Sequence, residues 1–120
     1  MILVDTSVWV DHLRAGDKTV ASLLEAGRVL AHPFVIGELA LGNLRQRHKV
    51  LPYLQDLPQA KVATDREVPH FIERHALAGL GIGYVDVHLL ASARLTAGSS
   101  LWTRDKRLSS VAARLGVATE

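Results

Sequence analysis

The sequence predicts an α/β fold, a three-layer α/β/α sandwich around a central parallel sheet, and three observations carry that expectation. The chain opens on a short apolar run, Met1 to Val4, suited to a strand buried on both faces. Further short apolar runs at 28–31, 60–63 and 101–103 alternate with stretches of helical period, which is how strand–helix–strand units read. At 120 residues with 48% apolar composition, the chain can bury one core, so a single domain over 1–120 is expected.

Each element has a local reason. The opening strand stops at Asp5, and Thr6 and Ser7 follow, residue types whose oxygens favour helix starts. The apolar pattern resumes at Val8, Trp9 and Val10 and predicts the first helix. A second helix is expected from Asp17 to Ala26, with Val20, Leu23 and Leu24 on one face and Gly27 as its stop. A strand at 28–31 leads to Pro33, which suits the first turn of a helix. That helix should run from Phe34 to about Arg47, with Val35, Leu39 and Gly42 on one stripe and Ile36, Ala40 and Asn43 beside it.

Another short helix is expected over 50–57, bounded by Pro52 and Pro58, and then a strand at 60–63. Thr64 and Glu67 have capping-box spacing and predict a helix from Asp65 to about Ala78, with Pro69 near its start. The glycine-rich stretch GLGIGY, residues 79–84, lacks both phosphate-loop patterns and reads as a flexible turn. It delivers a helix over 85–97, on which Asp86, Leu89, Leu90 and Ala93 share a face. A strand at 101–103 precedes a last helix opened by Asp105. Leu108, Val111, Ala112 and Leu115 form its inner face, Gly116 ends it, and Val117 and Ala118 suit a closing strand.

Composition narrows the function. The chain has no cysteine, so disulfides and thiolate metal sites are excluded, which fits a reducing cytoplasm. No apolar run reaches 18 residues and no leader peptide is evident, so no membrane attachment is expected. Basic and acidic residues nearly balance at a net charge of +2, too little to imply nucleic acid by total charge. Two basic clusters stand out instead: Arg45, Arg47, His48 and Lys49, and Arg104, Lys106 and Arg107. Solvated helix ends often produce such clusters.

Most acidic residues here (Asp11, Asp17, Glu25, Asp56, Asp65, Glu67, Glu73 and Glu120) sit in polar company or at helix starts. Four do not. Asp5 ends an apolar strand, Glu38 lies in the apolar run PFVIGELALG, Asp86 shares the core-facing stripe of its helix, and Asp105 follows a strand. Each has a plain structural reading: Asp5 and Asp105 as helix caps, Asp86 as a first-turn carboxylate favoured by the helix dipole, and Glu38 as a boundary residue reaching water. The topology nevertheless collects all four near the C-terminal ends of the strands, where open α/β sheets form their crevices. Four carboxylates converging there repel one another unless a cation intervenes. Hard oxygen donors of this kind suit magnesium or manganese. The six histidines show no paired ligand spacing, so zinc is disfavoured; His12, His32, His48, His70 and His75 read as structural and His88 as surface or packing.

MILVDTSVWVD at the start, a glutamate near position 38, GIGYVDVHLLASA over 81–93 and LWTRDKRL over 101–108 together resemble the PIN-domain ribonucleases. The small single-domain form is similar to the VapC toxins of bacterial and archaeal toxin–antitoxin pairs. The resemblance spans essentially the whole chain; each motif alone is weak, and four in order are strong. It implies that Asp5, Glu38, Asp86 and Asp105 form an acidic metal pocket supported by Thr6, Ser7 and Thr103. It further implies hydrolysis of RNA phosphodiester bonds with magnesium or manganese, an antitoxin protein as partner and a homodimer. Arg45, Arg47, Lys49, Arg104, Lys106 and Arg107 could hold RNA phosphates flanking the cleft.

Other readings are weaker. A haloacid-dehalogenase-type phosphoryl-transfer enzyme needs a second aspartate where Ser7 stands, and a receiver domain needs an acidic pair beside Asp5. A catalytically silent PIN scaffold that binds RNA or a protein is the non-enzymatic alternative. Trp9, Leu13, Leu41, Leu44 and Leu51 exceed what one small core needs and suit either a dimer patch or an antitoxin groove.

Overall fold

The first strand, β1 (Ile2–Val4), lies in the middle of a three-stranded parallel sheet of order β2-β1-β3 in a computed structural model that describes residues 1–119. Glu120, expected to be an ordinary solvated acid, lies outside the described residues. Ile2 pairs with Val29 of β2 (Val29–Leu30) and with Ser100 of β3 (Ser100–Trp102). Leu3 and Val4 are fully buried because β1 is covered on both faces and both edges. The chain moves one way from β1 to β2 and the other way from β2 past β1 to β3. The right-handed crossover rule therefore assigns helices to both sides of the sheet, giving the α/β/α layering expected from sequence. The reversal of direction occurs at β1, so its C-terminal end is the topological switch point.

Helix α1 (Thr6–Ala15) starts one residue after β1 and buries Val8 and Trp9. Trp9 is thus core, not surplus surface. Helix α2 (Lys18–Glu25) begins where the Asp17 carboxylate accepts the amide N–H groups of Thr19 and Val20, and Gly27 ends the turn at φ +67°. Helix α3 (Pro33–Leu41) ends six residues earlier than its periodicity suggested. Gly42 and Asn43 fell on the expected stripes but have no apolar side chain to bury. The chain leaves the helix at Gly42, and Arg47 reaches back to the Ala40 carbonyl at 2.8 Å. Gln46, in the left-handed region at φ +53°, then opens α4 (Arg47–Asp56). Pro52 lies inside α4 and does not bound it.

The expected strand at 60–63 is absent. Ala31 and Gln59 form a single parallel bridge, and the next free donor, the Lys61 amide, turns to the Thr96 hydroxyl at 3.0 Å. Thr64 and Glu67 do form the reciprocal capping box, but α5 spans only Glu67–Arg74, with the left-handed Ala76 just beyond its end. Helix α6 (Tyr84–Leu95) is buried at every position from Val87 to Ala93, so it runs through the core. Fully burying Leu89 and Leu90 stabilises the fold by about 1.5–3 kcal/mol each. Helix α7 (Lys106–Arg114) packs Leu108, Val111 and Ala112 inward, as its pattern indicated. The closing strand is reduced to one bridge, Leu101 with Ala118. Among the described residues no helix is long and apolar enough to cross a membrane.

Candidate acidic site

Asp5 leaves the C-terminal end of β1 at the switch point and is 7% exposed. Its backbone stands at the N-cap of α1, yet its side chain makes no capping bond. The carboxylate turns sideways. Its Oδ2 accepts the Ser7 hydroxyl at 2.8 Å and the Thr103 hydroxyl at 2.7 Å. Both hydroxyls have thereby donated their single hydrogen, so their 3.4 Å separation is a contact and not a third bond. Each is fixed in turn by an amide on the far strand's exit: Arg104 N–H donates to Ser7 Oγ and Asp105 N–H to Thr103 Oγ1. The capping reading of Asp5 therefore fails for its side chain.

Asp105 does cap α7, with Oδ1 accepting the Leu108 amide at 3.0 Å. That bond holds one oxygen; Oδ2 makes no hydrogen bond among the described residues. Glu38 is exposed on α3, and its Oε1 accepts the Thr6 hydroxyl at 2.6 Å, which ties α3 to the start of α1. Asp86, half-buried in the first turn of α6, accepts the Gly83 amide at 2.8 Å. Thr6, Ser7 and Thr103 thus each hold an acidic side chain.

The other three acids act electrostatically on Asp86. Burial pushes the Asp86 carboxyl above its ordinary value; the Gly83 N–H opposes this, and the negative charges of Asp5, Asp105 and Glu38 push it further up. No arginine or lysine is among the groups acting on it. The oxygens are not drawn into a preformed cage: among the described residues, no three acidic or histidine side chains sit at metal-sharing distance. The donor set is all carboxylate oxygen, short of positive charge and partly withdrawn from water, and so fits a hard divalent cation.

The flanking cations divide. Arg104 is engaged by Asp11 at 2.8 Å and Asp17 at 2.9 Å and lies over the Trp102 ring. Hydrogen bonding to the Val20 amide, then to Thr19 and Arg104, holds the Asp17 carboxyl low against burial. Arg45, Arg47 and Lys49 are exposed around the α3–α4 junction, with Arg47 spending one donor on α3. Lys106 and Arg107 open α7 beside Asp105. Arg107 lies against the glycine turn, its Nη1 2.6 Å from where a Cβ on Gly81 would stand.

The histidines are not ligands of this site. His32 is wholly buried; its Nδ1 accepts the Phe34 amide, so the proton is on Nε2, 3.0 Å from Ser92 Oγ. His88 is buried between Phe34 and Tyr84, with Nδ1 unpartnered among the described residues. It belongs to packing.

Comparison with known proteins gives the chain's family. The chain matches the family model described as "PIN domain" over residues 2–114. It is 51% identical over 118 residues to proteins named "Ribonuclease VapC32" from two strains of Mycobacterium tuberculosis, covering 98% of this chain and 95% of each relative.

Proposed function

The chain belongs to the PIN-domain family, and from that premise we propose that it is a metal-dependent endoribonuclease, the toxin of a type II toxin–antitoxin pair. The observation that carries the reading is Asp86: half-buried, raised by burial and by three other carboxylates, with no cationic side chain to offset them. The relatives' printed name, a VapC ribonuclease, supports the same activity. Asp5 and Asp86 would hold one magnesium or manganese ion, and Asp105 and Glu38 would orient the attacking water or hold a weaker second ion. When bound, such an ion supplies charge to activate water and to stabilise the developing charge at phosphorus.

The chain's own residues do the rest. Ser7 and Thr103 pin Asp5 in one rotamer, and Thr6 does the same for Glu38. Gly83 N–H favours the ionised form of Asp86. Lys106, Arg107 and the Arg45–Lys49 cluster would hold phosphates on either side; Arg104, already paired with two carboxylates, would contribute least. A single-stranded RNA loop fits a site of this kind. The remaining partners would be a small antitoxin protein and a second copy of the chain, in the cytoplasm. Leu41, 90% exposed, and the exposed Val10 and Tyr53 would serve those interfaces.

The test is cleavage of RNA by purified protein with magnesium or manganese and with EDTA, alongside Asp5→Asn and Asp86→Asn. Cleavage lost in EDTA and in both folded variants supports the reading. Undiminished cleavage in EDTA and in either variant overturns it.

A further inference from the structure

Three arginines, one from each of the last three helices, meet where α5 ends. Arg74 lies in the last turn of α5, Arg94 in the last turn of α6 and Arg114 in the last turn of α7. Arg114 donates to the His75 carbonyl at 2.6 Å and Arg94 to the Leu115 carbonyl at 3.0 Å. These bonds cap two helix C-termini and account for where those guanidiniums sit, but each uses a small part of a five-donor group. Arg74 makes no side-chain hydrogen bond among the described residues. Among the described residues none of the three has a carboxylate at ion-pair distance; every ion pair described belongs to Arg14 or Arg104.

The His75 ring stands among them, stacked on Phe71 at 4.6 Å between centroids. Burial and then Arg94, Arg74 and Arg114 hold it below its ordinary value, with no acid among the described residues acting in the other direction. An open groove of about 1030 Å³ runs along α5 against α6, and Arg74, His75 and Arg94 lie along its wall. Its two acids, Asp65 and Glu67, belong to the opposite end of α5, and the Glu67 carboxylate is occupied by the Thr64 amide.

We propose that the Arg74–Arg94–Arg114 cluster and the groove beside it bind the phosphate backbone of single-stranded RNA, as a second contact for the substrate strand away from the acidic site. This rests on the ribonuclease reading above. Guanidinium forks match phosphate oxygens pairwise, and an accumulation of like charge without acids is complementary to a polyanion. Helix α6 carries Asp86 in its first turn and Arg94 in its last, eight residues or roughly 12 Å along the axis. Because α6 is buried from Val87 to Ala93, a strand reaches these cations over the outer surface, by the groove along α5.

The experiment measures binding without cleavage: fluorescence anisotropy of labelled single-stranded RNAs of 6 and 25 nucleotides in EDTA, across a salt series. Arg74→Glu is the main variant, because the Arg74 side chain makes no hydrogen bond or ion pair among the described residues; Arg94→Gln is the second, and Lys18→Glu is the charge-matched control. We expect Arg74→Glu to weaken 25-mer binding about tenfold and to lower the salt slope by about 1, with a smaller loss for the 6-mer. Lys18→Glu should stay near wild type. Equal affinities and slopes in Arg74→Glu and Lys18→Glu would overturn the proposal, as would a wild type that binds no RNA. So would an Arg74→Glu protein that changes oligomeric state but not RNA affinity, since the cluster would then serve a protein interface. Parallel cleavage by wild type with manganese separates the two ideas: cleavage intact with an unaltered Arg74→Glu leaves the ribonuclease and removes the second contact.

Discussion

Thr103 donates its hydroxyl hydrogen to Asp5 Oδ2 at 2.7 Å across a separation of 98 residues, joining the exit of β3 to the exit of β1. Ser7 completes the pair of donors, so the buried Asp5 carboxylate is aimed by two hydroxyls and not left to choose a rotamer. Thr103→Val keeps the shape and removes one donor. It should lower stability by about 1–2 kcal/mol in a urea melt, and under the proposed function should cut metal-dependent cleavage about 10–100-fold, as loss of a supporting hydrogen bond does.

Asp86→Asn separates charge from shape. The amide oxygen can still accept the Gly83 N–H, while the repulsion from Asp5, Asp105 and Glu38 disappears. The variant should melt at or above the wild-type temperature without divalent metal and should gain nothing when manganese is added, whereas wild type rises. A variant clearly less stable than metal-free wild type would mean that Asp86 is held by attractions not seen here.

The same group sets a pH dependence. Because the folded state raises the Asp86 carboxyl, its contribution is favourable below the ordinary aspartate value and is lost as pH rises through the raised one. Divalent metal should reverse that loss, so the stabilisation produced by manganese should grow with pH above about 4. Calorimetric melts at fixed manganese across pH 4–7 check this.

His32 titrates in the opposite direction. Burial, then the neighbouring His88, push its ring down to about 4. Below the ordinary value of 6.5 the unfolded chain takes up a proton that the folded chain refuses. The contribution is therefore complete above pH 6.5 and falls away as pH drops towards 4, by up to roughly 3 kcal/mol. Urea unfolding from pH 7 to pH 4 should show this decline, and His32→Gln should flatten it.

Gly81 stands at φ +78°, with the Arg107 guanidinium where a side chain would begin. Gly81→Ala should cost about 1–2 kcal/mol, part from the left-handed backbone and part from displacing Arg107. In an Arg107→Ala background the cost should shrink, and the difference in a double-mutant cycle measures the contact.

Much of this architecture was legible because strand and helix starts carry their own chemistry. Met1 to Val4, the Asp17 cap, Pro33, the Thr64–Glu67 box and Asp105 each mark an element that formed. The failures share a cause as well. Gly42 and Asn43 matched the helical period of α3 without anything to bury, so period alone overextended it. At 60–63, two alanines offered too little side chain to hold a strand, and the Lys61 amide found the Thr96 hydroxyl instead. Pro52 looked like a boundary, yet α4 starts three residues earlier than expected and carries it.

The four acids stood out because their neighbours were apolar, and the hydroxyls that hold them followed from the family resemblance. That Arg104 is tied to Asp11 and Asp17 was invisible, since those partners lie 93 and 87 positions away in the chain. The arginines around His75 left no cluster in the sequence either. Each comes singly at the end of a different helix, where a lone cation reads as a cap, and only packing assembles them.

The central strand of the sheet precedes both its neighbours in the chain, one of them starting only at residue 100. A nascent chain emerging from the ribosome therefore holds Asp5, Glu38 and even Asp86 before it has Thr103 and Asp105 to set beside them. Asp5 therefore waits for β3 to pair beside β1 before the Thr103 hydroxyl can fix its carboxylate.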